Sequence, residues 1–279
     1  MGAVRKRELM KIGFHMPISK GFARTFEQAK KLGCQVIQVF LKNPRSWEYK
    51  TWKDEEIDAF RKLHKEIMVF GHLSYLPNLA KIDEDERNLK AFVHEAGLCA
   101  TLGLDGLVAH CGTRTDKTTG VNMIAESINR VHERHDLKIL LENSSGQGTA
   151  IGKDADELAL IYERVERKEM VFICIDTAHL FQSGCDIRVK KTWNAFLTGV
   201  EEKLGPHKIG VFHLNDSKTA LASRIDRHWH IGKGQIGKGF FRSLINDKRF
   251  AHLGGVMETP KMGNMDEENM RVMRSYFLR

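Results

Sequence analysis

Short apolar runs alternate along the chain with longer segments whose apolar residues recur at helical spacing. The short runs predict strands over 11–17, 35–42, 68–73, 106–112, 138–143, 170–179, 208–216 and 253–260. The longer segments predict helices over 19–33, 54–66, 83–102, 120–135, 154–168, 188–203, 239–247 and 266–278, with Asp83 capping the third. The strands are apolar almost throughout, as expected for a parallel sheet covered on both faces. Eight strand–helix units in 279 residues fit the size of a closed (β/α)8 TIM barrel. An open doubly wound sheet is the competing arrangement, but no Gly-rich phosphate-binding turn follows the first strand. Neither repeats nor linkers break the pattern. Residues 1–279 therefore read as one barrel domain, with a short basic extension at 1–9.

Polar residues interrupt this pattern where a barrel would use them. His15 ends the first predicted strand, His72 the third, His110 the fourth and Glu142 the fifth. Asp176 and His179 end the sixth, His213 the seventh and Glu258 the eighth. In a parallel barrel all these ends open onto one face, which carries the chemistry. His15 reads as lining the site. The stretch 213–237, HLNDSKTALASRIDRHWHIGKGQIG, is too polar for core and rich in metal-ligand types: Asp216, Asp226, His228 and His230. In an extended segment Asp226 and His228 share one side of the chain. Imidazole and carboxylate together suit a borderline divalent ion such as zinc. Clustered divalent ions in turn suit phosphoester hydrolysis, because they generate hydroxide near neutral pH and stabilise both the attacking and leaving oxygens.

Composition narrows the function classes. A net charge of +8 is compatible with a polyanionic partner. The five cysteines are odd in number and lack CxxC spacing, which argues for a reducing compartment and against a thiolate zinc site. Cys111, beside His110, reads as a small core residue. Neither a membrane-spanning stretch nor a signal-peptide core is present, and Lys6 breaks the myristoylation pattern. A monomeric cytoplasmic protein is expected, also nuclear if the source is eukaryotic.

Three segments carry a resemblance: LLENSSGQGTAIG (140–152), CIDTAHLFQSGCD (174–186) and HLNDSK…SRIDRHWHIGKGQIG (213–237). GHLSYLPNLA (71–80), VAHCG (108–112) and METP (257–260) add to it. From about Met10 to its end the chain resembles the endonuclease IV group of apurinic/apyrimidinic endonucleases. The resemblance implies a TIM barrel with three zinc ions, one position also accepting manganese. His72 and His110 would hold one ion, with Glu142 bridging to a second. Asp176, His213 and Glu258 would complete the second, and His179, Asp226 and His228 the third. The implied substrate is double-stranded DNA containing an abasic site. The bond 5′ to the lesion is hydrolysed, leaving a 3′-hydroxyl and a 5′-deoxyribose phosphate, with Glu142 or Glu258 positioning the nucleophile. Arg45, Tyr75 and Leu76 match positions that enter the duplex, and Lys218, Lys233 and Lys238 would contact phosphates. Ala178 stands where the family usually has Cys, Cys185 where it has Tyr, and Cys111 where it has Pro, which affects packing and removes no ligand. A metal-dependent sugar isomerase or epimerase on the same barrel is the alternative, but the set His179, Asp226 and His228 has no obvious use there. A non-catalytic DNA-binding protein would have no need of an open metal site.

Overall fold

A computed structural model describes residues 9–277, so residues 1–8 of the basic extension lie outside it. The strands in chain order are β1 (Lys11–His15), β2 (Val36–Val39), β3 (Met68–His72), β4 (Gly106–His110), β5 (Ile139–Glu142), β6 (Val171–Asp176) and β7 (Ile209–His213). They continue with β8 (Asp216–Ser217), β9 (His228–Trp229) and β10 (Gly254–Met257). The helices are α1 (Phe22–Leu32), α2 (Asp54–His64), α3 (Glu86–Leu102), α4 (Lys117–His132), α5 (Ala155–Tyr162), α6 (Thr177–Ser183), α7 (Lys190–Leu204), α8 (Lys238–Ile245) and α9 (Met265–Tyr276). β1 pairs in parallel with both β2 and β10, which closes the sheet into a barrel and excludes the open alternative. β8 and β9 form a separate antiparallel ribbon.

Two readings of local structure change. Asp85, not Asp83, caps α3, by accepting from the Arg87 amide, while Asp83 pairs with Arg114 at 2.6 Å. The apolar run read as a strand over 170–179 ends at Asp176, and α6 begins at once. Asp176 is itself the cap, accepting from the His179 amide at 2.8 Å. His179 therefore lies in the first turn of a helix and not on a strand end.

The strands are apolar on both sides because both sides are buried. Val36, Phe70, Val108, Leu140, Cys174, Val211 and Val256 form one cluster, a layer inside the barrel. Neighbouring residues such as Ile37, Val69, Leu107, Leu141, Ile175, Phe212 and Met257 pack with the helices in the larger outer core. A strand repeats every two residues. The next inward residue after each member of the inner layer is Gln38, His72, His110, Glu142, Asp176, His213 or Glu258. One hydrophobic layer is thus the floor beneath a polar layer at the C-terminal mouth. Among the described residues, no helix is long and apolar enough to cross a membrane.

Candidate metal centre

Strand register sets the polar layer. His110 lies beside Glu142, and Asp176 beside His213. Glu142, 1% exposed, is the hub. Its Oε2 lies 3.2 Å from His72 Nε2 and 3.5 Å from His110 Nε2. Its Oε1 lies 3.0 Å from His213 Nδ1 and 3.3 Å from His179 Nδ1. Glu258 Oε2 is 3.2 Å from His213 Nδ1, and Asp176 Oδ2 is 3.4 Å from His228 Nε2. Asp226 Oδ1 is 3.2 Å from His179 Nε2 and 3.5 Å from His228 Nε2.

Among the described residues, the donor atoms form three groups, each within 4.8 Å: His72, His110 and Glu142; Glu142, Asp176, His213 and Glu258; Asp176, His179 and His228. Glu142 is common to the first two groups and Asp176 to the last two, so the three are contiguous. Asp226 stands at the edge of the third, on His179 and His228.

The histidine tautomers test whether these residues fit cations. A carbonyl oxygen only accepts, so the nitrogen facing it carries the proton. His72 Nδ1 donates to the Leu73 carbonyl at 2.7 Å, and His179 Nδ1 to the Asn143 carbonyl at 3.0 Å. His213 Nε2 donates to Gln38 Oε1 at 2.9 Å. When the ring is neutral, as an imidazole holding a metal ion must be, the opposite nitrogen is a lone pair. These lone pairs face the carboxylates of Glu142, Asp226 and Glu258, or in one case another imidazole: His179 Nε2 and His228 Nε2 are 3.2 Å apart. Donor atoms packed this closely are held together either by protons on the rings or by a metal cation between them, and imidazoles fixed through their other nitrogen are the usual donors to such an ion. The oxygen and nitrogen donor set fits a divalent ion. Cys174, beneath His213, is no competitor, since burial pushes its thiol up to about 12.

The electrostatics agree. Burial pushes the Glu142 carboxyl up, but His110 and His213 prevail and hold it well below the usual carboxylate range. Burial likewise opposes Asp226, yet His179 and then His228 bring it down to about 2. Burial would lower His179, but the carboxylates of Asp176, Asp226 and Glu142 raise it well above its ordinary value. The same field favours any cation placed there.

Several supports were not anticipated from sequence. Gln38, the one amide in the apolar run VIQV, donates to Glu258 Oε1 at 2.8 Å while accepting from His213. Asn143 Oδ1 accepts from the Asp176 amide at 2.7 Å, and Asn215 Nδ2 donates to Asp176 Oδ2 at 2.7 Å. His15 belongs to none of the three groups. Its Nδ1 lies 3.0 Å from Glu258 Oε1, so it lines the site as expected. Asp216 and His230, read as ligand types, also join no group. Asp216 is buried and accepts from the amides of Ser217, Gly232, Gly234 and Ile236 at 2.8, 2.9, 3.0 and 2.9 Å. It folds the glycine loop around itself. At Gly234 a Cβ would lie 2.4 Å from the Ser217 carbonyl, so only glycine fits. His230 sits against Asn269 at 3.2 Å.

The polar layer floors a cleft of about 630 Å3, whose walls include Phe40, Arg45, Tyr75, Arg227 and Lys261. The xylose isomerase-like TIM barrel family matches residues 26–276. A probable endonuclease 4 from Chloroflexus aggregans is 38% identical over 272 residues, covering 94% of this chain and 95% of its own length. The chain belongs to the endonuclease IV family. The crystal structure of endonuclease IV from Thermus thermophilus has a TM-score of 0.85 at 30% identity, over 95% of this chain and 98% of that one. A D-tagatose 3-epimerase-like protein has a TM-score of 0.72 at 15% identity, over 96% and 97% of the two chains, a likeness of fold alone.

Measured against the endonuclease IV resemblance, all nine residues it assigns to ions lie together at the barrel mouth. Of the residues it assigns to DNA, Arg45 and Tyr75 line the cleft. Tyr75 is 57% exposed, its ring set edge-on against Phe40 at 5.0 Å. Leu76 is half-buried beside it, and Lys233 is exposed on the glycine loop. Lys218 lies over the Trp229 ring at 4.4 Å, and Lys238 begins α8. Arg227 and Lys261 line the cleft without having been singled out. Ala178 and Cys111, where the sequence departs from the endonuclease IV pattern, are buried packing residues, and Cys185 is partly buried.

Proposed function

We propose that this protein hydrolyses the phosphodiester on the 5′ side of an abasic site in double-stranded DNA, leaving a 3′-hydroxyl and a 5′-deoxyribose phosphate. The observation that carries this reading is the contiguity of the three donor groups through Glu142 and Asp176. A sugar isomerase has no use for the third group. In this proposal His72 and His110 hold one zinc ion, Asp176, His213 and Glu258 a second, and His179, Asp226 and His228 a third, with Glu142 shared between the first two. Manganese accepts the same donors at one position. The ions supply Lewis acidity toward the phosphate and a nucleophile near neutral pH.

The chain's own groups do the rest. Glu142 and Glu258, held low in pKa, stay ionised and orient the nucleophile. Arg45, Arg227 and Lys261 present cations to the phosphates flanking the reacting bond. Tyr75 fills the gap left in the stack when the abasic nucleotide turns out into the cleft. The surplus of basic residues supplies lesion-independent attraction to DNA.

The test is a duplex carrying one abasic site, with both product ends sized on a gel. Incision on the 5′ side with a free 3′-hydroxyl is expected, lost after prolonged chelation and restored by zinc. An intact duplex with fully metal-loaded protein would overturn the proposal.

A further inference from the structure

Behind Arg45 and Tyr75 lies a buried ion pair that the metal centre does not use. The Lys42 and Glu95 side chains are each 1% exposed, with Lys42 Nζ 3.7 Å from Glu95 Oε1. The Lys42 ammonium donates to the Ser46 carbonyl and lies 3.5 Å from the Asn43 carbonyl. It thereby grips the turn that carries Arg45 at both ends. Asn43 Oδ1 tightens that turn by accepting from the Arg45 amide at 3.0 Å. Glu95, on α3, accepts from the amide of Ser74 at 2.9 Å and from its hydroxyl at 2.5 Å. Ser74 immediately precedes Tyr75. The two loops also meet directly, through the Tyr75 amide and the Pro44 carbonyl at 3.0 Å.

A buried ion pair adds little net stability over apolar side chains of the same size. What this one does add is geometry: its two ends hold two separate rim loops. We propose that Lys42 and Glu95 are positioning residues that lock the Arg45 turn against the Tyr75 loop, so that the pair enters damaged DNA preformed. The inference rests on the abasic-site reading above. A wedge held in its bound conformation loses less ordering entropy on binding, which favours the lesion over intact duplex.

The test compares parent protein, Lys42→Met/Glu95→Gln, Tyr75→Ala and the triple variant. The double variant leaves no unpaired buried charge. Affinities for abasic and undamaged duplex are measured, together with metal content and amide hydrogen exchange over 43–46 and 73–76. Metal content stays at the parent value. Preference for the abasic duplex falls by roughly tenfold in the double variant, and the same change has no effect once Tyr75 is alanine, a non-additivity expected of coupled residues. Equal weakening on both duplexes, or losses that simply add to those of Tyr75→Ala, would overturn the inference. Ser74→Ala removes the hydroxyl bond at the Glu95 end of the tether, leaving the amide bond, and serves, with a smaller expected loss of preference, if the double variant fails to fold. Parent protein with no preference between the duplexes refutes the abasic-site reading and, with it, the proposed purpose. Hydrogen exchange judges the tether separately: faster exchange over 73–76 supports it, and unchanged exchange refutes it.

Discussion

At the scale of single residues, the centre is decided by which atom of each ring holds a proton. His72, His179 and His213 each have one nitrogen committed to an oxygen, and the other points into the cluster, a lone pair when the ring is neutral. Gln38 does this for His213 and also binds Glu258. Gln38→Leu leaves His213 Nε2 without its acceptor and Glu258 Oε1 with His15 alone of its two side-chain partners. It should weaken metal retention about 10–100-fold, as removal of an outer partner of a ligand usually does, measured by chelator competition. Glu142→Gln replaces a charge shared by two groups and should lower incision further than that, with near-normal turnover excluding a shared role. The histidines and carboxylates were legible in the sequence because few other uses explain so many of them at strand ends. Gln38 was not, since an amide in an apolar strand announces no ligand chemistry. Asp216 and His230 misled for the opposite reason. They are ligand types near the site, but composition does not reveal that Asp216 faces a ring of backbone amides.

At the scale of elements, strand periodicity does most of the work. The residue two places before each site residue borne on a barrel strand belongs to the inner hydrophobic layer, so a one-residue slip in register would turn the polar layer into the helices. Leu140 is the floor under Glu142, and its methyls fill the space left by Gly106 and Gly210. Leu140→Ala should destabilise the fold by about 2–5 kcal/mol, read from denaturant unfolding. A loss within experimental error would mean the layer repacks freely. The strands were readable from sequence because a strand buried on both faces is a plain apolar run. α6 was not, because FICIDTAHLF continues the run across the junction and Asp176 is both site residue and helix cap. The β8–β9 ribbon was also missed, because two residues per strand give no period to detect. Together α6 and the ribbon deliver His179, Asp226 and His228. Asp226→Ala should therefore lower bound metal by about one ion per chain and leave the fold intact. Metal content at the parent value would remove Asp226 from the third group.

At the scale of the whole molecule, the basic surplus and the cleft have different consequences. Under the proposed function, charge would act on any DNA, whereas the cleft would act on a nucleotide that can leave the stack. Lys233→Ala should weaken binding to damaged and undamaged duplex alike and reduce the salt slope by about one unit. Affinity titrations over a range of salt check this, and a loss confined to damaged DNA would place Lys233 in lesion recognition. The barrel itself was legible because eight repeats of one pattern leave little choice of architecture. The cleft walls were less so, since Arg227 and Lys261 lie far apart in sequence and only closure of the barrel brings them to one opening. The central claim is that this opening holds a contiguous cluster of ions. It is tested most directly by elemental analysis of the purified protein against its concentration. The account predicts about three divalent ions per chain, with zinc predominant. A fully folded, incision-active protein carrying one ion or none would contradict it.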